Sequence, residues 1–207
     1  MSWPAILEES ETLAEQLHEL LSAPLFEDSE RLSTSDLACS MSLEHWAGVR
    51  KLLASTLLPS AVVLHRSQFE ALVRSVWLLY AASDLEVAKL AAELTPESEL
   101  AAKNLAQVAE MMEALSIKAP REAYDALNRF KDNSWGALNS YVHAGVHALK
   151  RHESGYPVAL AAAILCNANG LAIVAGMQSA VLTGNQALVR QVLKLGTSHP
   201  NCMPPPL

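Results

Sequence analysis

From Ser154 to Val189 the chain carries no charged side chain. A run of that length has to leave water, either inside a protein core or inside a bilayer, and this limits what the rest of the chain can build. Within it, Val158 to Leu182 is long enough to cross a membrane as one helix. The same stretch contains Asn167, Asn169, Gly170, Gly176, Gln178 and many alanines. Those residues suit close packing against other helices better than contact with lipid. The segment is therefore read as a buried helix over 157–182, and no membrane association is expected.

The remainder is also helical in pattern. No stretch sustains the period-two alternation of a half-buried strand. A first helix is expected over 5–22, ended by Pro24, with a polar loop over 26–35. A second starts at 36 or 42 and runs to 58. Pro59 suits a first helical turn, so a third helix is placed over 59–82. It is apolar nearly all round, from Val62 to Leu79, and belongs at the centre of a bundle. Ser83-Asp84 caps a helix to about 94. Thr95-Pro96-Glu97 starts another to about 115. Further helices are read over 121–130, 135–151 and 186–195, with a break at 131–134. The fold class is all-α: a single bundle of about seven to nine helices around the apolar helices at 59–82 and 157–182. One domain covers 1–195. The tail, 196–207, holds four prolines and is expected to be extended or disordered unless it docks.

Composition bears on partners. The chain is 51% hydrophobic and 18% charged, against about a quarter charged in ordinary soluble domains. Apolar surface covered by a second copy would account for the shortfall, so a homodimer is expected, with a protein partner as the other candidate. A net charge of −7 works against attraction to a polyphosphate backbone, which disfavours RNA or a nucleotide as ligand. Cys39, Cys166 and Cys202 make no CxxC pair and no zinc spacing. Three unpaired thiols and an N-terminus without a basic, apolar leader fit a cytoplasmic location.

Two polar patches could carry chemistry. Arg66, Glu70 and Arg74 lie at i, i+4 and i+8 of the central helix. They form either an ion-pair ladder on an exposed stripe or a buried ionic stripe facing a cavity. Asn139, His143 and His147 share the same spacing on the 135–151 helix, with Tyr141 on another face. Two histidines at i and i+4 can reach one zinc ion, but no carboxylate or cysteine follows at a useful spacing, so no metal is assigned. In the alternative reading one histidine is a hydrogen-bonded core residue and the other lies at the surface. A Gly-rich phosphate loop, a nucleophile elbow and a carboxylate cluster are all lacking, and no cofactor is expected.

The segment Leu138-Asn139-Ser140-Tyr141-Val142-His143 resembles the motif of the HEPN (higher eukaryotes and prokaryotes nucleotide-binding) superfamily. That motif pairs an Arg with a His on a late helix of a small bundle, and here Leu138 stands at the Arg position. Arg66-Ser67-Gln68-Phe69-Glu70 followed by Ser140-Tyr141-Val142-His143 is also similar to bacterial helical families with R-S-x-F-E and S-Y-x-H stretches. The resemblance implies a dimeric all-α domain from a bacterial toxin–antitoxin or phage-defence locus. It makes Arg66, Glu70 and His143 the candidate catalytic residues, and Asn139, Tyr141, His147 and Arg74 the candidate ligand-binding ones. In the enzymatic version, a metal-independent ribonuclease, His143 exchanges a proton with a ribose 2′-hydroxyl. Arg66 then grips the phosphate in place of the missing Arg, and Glu70 orients either group. Leu138 and the net acidity favour the other version, a binding or regulatory module without cleavage. A small-molecule or nucleotide-binding bundle is a third reading.

Overall fold

A computed structural model describes residues 2–205 and is helical throughout. Among the described residues there are ten α-helices, two short 3-10 turns and no strand. They are α1 (Trp3–Leu20), α2 (Glu30–Ala54), α3 (Leu58–Tyr80), α4 (Asp84–Ala91), α5 (Pro96–Ala101), α6 (Val108–Lys118), α7 (Arg121–Val142), α8 (Val146–Ser154), α9 (Val158–Leu182) and α10 (Gln186–Ser198).

The starts follow local chemistry. Ser29 caps α2 by accepting from the Leu32 amide, which carries that helix back through the expected 26–35 loop. Ser83 and Glu86 close a reciprocal capping box on α4. Thr95 and Ser98 do the same on α5, with Pro96 in its first turn.

As the apolar pattern requires, α3 is the centre. It packs on α2, α6, α7 and α9, and Phe69, Leu72, Val73 and Leu78 are wholly buried. The uncharged α9 lies against α1, α2, α3 and α10. It is the one helix among the described residues long and apolar enough to cross a membrane. Its polar side chains fix its register inside the protein. Asn169 Oδ1 accepts from Ser10 Oγ at 3.0 Å and Trp46 Nε1 at 2.8 Å, while its Nδ2 donates to the Cys202 carbonyl at 2.8 Å. One amide thus joins α1, α2 and the C-terminal segment. Two turns on, Gln178 Nε2 donates to Ser35 Oγ at 3.3 Å.

Two expectations need correction. The helix expected over 95–115 divides into α5, a turn at Ala102–Asn104, and α6, which gives ten helices where about seven to nine were expected. The Thr95 cap satisfies only a first turn, and Gln107 with Glu110 starts a second helix. The break expected at 131–134 is absent. Asp132 and Asn133 face water, Asn133 Nδ2 donates back to the Arg129 carbonyl at 2.9 Å, and α7 runs through. For the tail over 196–207, the described part takes the docked alternative. It docks through buried Cys202, through His199 on Gln16 at 2.9 Å, and through Asn201 on Glu9. Pro206 and Leu207 of that tail, like Met1, lie outside the described residues.

Candidate functional site

The α3 stripe meets α7 at Trp135. Arg66 Nη2 bonds Glu70 Oε1 at 2.8 Å, one turn along α3. The Arg66 guanidinium carbon lies 4.9 Å from the centre of the Trp135 ring, a cation–π distance. Trp135 is held in turn by Phe69, with ring centres 5.8 Å apart, and Phe69 stacks on Phe130 at 4.7 Å. Arg74 continues the stripe. Its Nη2 donates to the Ala106 carbonyl at 3.3 Å, and burial lowers its pKa while neighbouring Glu70 acts to raise it.

The stripe lies between the two arrangements its spacing allows. The Arg66 and Glu70 side chains are 20% and 36% exposed, which is neither a solvated ladder nor a buried cluster. Two arginines flank one carboxylate, so the patch carries surplus positive charge in a chain that is acidic overall. Arg66 Nε and Arg74 Nη1 are buried without a hydrogen-bond partner. The arrangement suits holding an anionic or carbonyl group against a planar cation on an aromatic ring.

His143 is not part of that patch. Helix α7 ends at Val142, and His143 is its C-cap residue, exposed to water. The termination is built from hydrogen bonds. The Gly145 amide donates to the Ser140 carbonyl at 2.6 Å and the Ala144 amide to the Tyr141 carbonyl at 3.3 Å, the pairing of a Schellman turn. Ala144 takes the left-handed position, with φ of 49°. Ser140 Oγ then accepts from the His147 amide at 3.0 Å and caps α8. The expectation that Asn139, His143 and His147 share one helix face is therefore corrected. Asn139 is on α7, His143 is in its cap, and His147 is on α8 and exposed. Tyr141 is half-buried, its pKa raised by burial and by nearby Tyr156, with Arg151 opposing. No hydrogen bond or ion pair among the described residues joins His143 to Arg66 or Glu70.

Sequence reasoning missed the group next to the stripe. His65 is 2% exposed, and its Nδ1 lies 2.9 Å from Gln68 Oε1. Gln68 Nε2 donates to the Ala168 carbonyl at 2.9 Å, so its oxygen faces His65, and Nδ1 carries the proton. The ring meets Phe130 edge-on at 5.0 Å, and burial pushes its pKa down to about 4. Trp135 was also missed as Arg66's partner, because nothing local links residues so far apart in sequence.

A family model covers most of this architecture, matching residues 39–205 from within α2 to the docked tail. The chain belongs to DUF6988, a family of unknown function. No curated protein and no solved structure matches it. The matched region includes Arg66, Glu70, Arg74, Trp135 and His143, and α1 precedes it.

Proposed function

We propose that this protein is a HEPN-like helical binding or regulatory module, a cytoplasmic homodimer from a bacterial defence or toxin–antitoxin locus, and not a nuclease. The observation that carries this reading is the separation of the candidate acid–base group from the candidate phosphate grip. A metal-independent cleavage needs a proton-transfer group and a cation converging on one phosphodiester. His143 stands exposed in the α7 cap, while Arg66 is engaged by Glu70 and Trp135. The Arg66–Glu70–Arg74 patch on Trp135 serves as the binding surface for an acidic or carbonyl-rich partner.

Support for the dimer comes from α8. This helix buries none of its residues in the chain, and Val146 and Leu149 are 67% and 62% exposed. A second copy covering them would also account for the low charged fraction.

Growth on expression tests the reading. Cells producing the native chain, His143→Ala or Arg66→Ala should grow alike. Arrest by the native chain that either substitution relieves would make it a toxin.

A further inference from the structure

Helix α7 is held differently from its neighbours. Side-chain hydrogen bonds join α2, α3 and α9: Ser42 Oγ donates to the Gln68 carbonyl at 2.9 Å, and Gln68 Nε2 to the Ala168 carbonyl at 2.9 Å. The side-chain hydrogen bonds and ion pair of α7 stay within that helix, apart from the Ser140 cap of α8. Among the described residues, none reaches α3, α6 or α9. Its seat is apolar, and only Leu127, Phe130 and Leu138 are buried along its 22 residues. Helix α8, which follows, buries none. The pair joins the bundle at Ala119-Pro120, after α6, and at Gly155, whose φ of 86° turns the chain toward α9.

Phe130 is the centre of that seat, and it rests on a histidine. Its ring meets His65 at 5.0 Å, nearly perpendicular, and Phe69 at 4.7 Å. Gln68 occupies Nδ1 of His65, while Nε2 is buried without a hydrogen-bond partner. A proton on Nε2 would place an unpaired charge and an unpaired donor in the α3–α7 seam, which is costly. Nothing around it offsets that charge. On α3, Arg66 and Glu70 pair with each other. Glu44 of α2, Glu113 of α6 and Asp132 of α7 are exposed to water, and α9 has no charged residue. Arg129 and Lys131, beside Phe130, carry like charge, and half-buried His45 of α2 makes no hydrogen bond to it. Burial holds the pKa of His65 at about 4, against 6.5 in water. Below 6.5 an open form therefore takes up a proton that the closed form refuses, so acid favours opening.

We propose that α7 is an acid-released flap: a proton on His65 lifts α7 off α3 and takes Trp135 away from Arg66. The release stands on the α3–α7 seam alone. Its consequence, loss of the Arg66 binding surface in acid, rests on the binding role proposed for that patch.

Hydrogen exchange of the full chain at about pH 7 and about pH 4.5, corrected for the intrinsic effect of pH on amides, tests this. A lifted helix loses the packing that stabilises it, so its amides exchange. In the native chain, protection of 121–142 should fall about fiftyfold between the two pH values, the ratio set by the two proton affinities of His65. At the lower pH, α7 should exchange ahead of α3 and α9. In His65→Leu the fall should be absent. His65→Gln provides the same comparison should melting curves show the leucine variant unfolded. Unchanged protection in the native chain, or the same fall in a folded variant, would overturn the proposal. So would α7 exchanging no faster than α3 and α9, since the whole bundle would then be opening. These readouts involve no ligand, so a failure of the binding role leaves them unaltered.

Discussion

His65 is the side chain whose chemistry the fold alters most. In an unfolded chain it titrates near 6.5, and in the bundle burial holds it near 4. As pH falls below 6.5 the unfolded state takes up this proton while the folded state does not. Stability is therefore full above 6.5, declines through the interval, and levels off below about 4. The total loss is on the order of 3 kcal/mol. Denaturant melts across this range should show it in the native chain, with that share missing in His65→Leu. Parallel acid profiles would mean His65 is solvated. The partners of His65 were not legible beforehand, because an imidazole inside an apolar helix does not reveal which way it points. Arg66 and Glu70 were legible, since an i, i+4 pair needs only the helix itself. Trp135 was not, since its approach depends on how α7 lies across α3.

The elements were most readable where capping chemistry is local. Ser83, Thr95 and Pro59 mark the starts of α4, α5 and α3 within a residue or so, and the apolar runs mark α3 and α9. The failures share a cause. Between residues 121 and 154 the amphipathic pattern runs on, and the interruption depends on a few hydrogen bonds. Within 131–134 the helix continues because Asp132 and Asn133 face water and leave its backbone hydrogen bonds undisturbed. Ala144 ends it because Gly145 lets the backbone fold onto Ser140. A Cβ at Gly145 would lie 2.7 Å from Ser140 Oγ and 3.2 Å from its carbonyl oxygen. Gly145→Ala should thus loosen the Ser140 cap of α8 and cost about 1 kcal/mol or more. Amide exchange should quicken in α8 and stay slow in α3. Unchanged α8 protection would show that the turn tolerates the methyl group.

For the whole molecule, the bundle is held by polar pins as well as by apolar burial. Asn169, Gln178 and Gln68 tie α9 to α1, α2, α3 and the docked tail. An uncharged helix with hydrogen-bonding side chains at fixed registers gives one packing rather than several. This explains why the all-α class was readable while the seating of the tail was not. The proline-rich composition of 196–207 left open whether that tail docks, and the docking of its described part rests on Asn169 and Glu9, far away in sequence. In the proposed dimer a second copy covers Val146 and Leu149, both exposed on α8. Light scattering should give twice the chain mass, and Leu149→Glu with Val146→Glu should yield a folded monomer, at a cost of about 2 kcal/mol or more in association. A native chain that stays monomeric at micromolar concentration would remove the dimer.

The claim that this is a binding module depends on His143 standing apart from Arg66. Incubating the purified protein with single-stranded RNA in excess chelator tests it directly. The account predicts intact RNA at every protein concentration, for the native chain and His143→Ala alike. Cleavage by the native chain that His143→Ala and Arg66→Ala each abolish would contradict it.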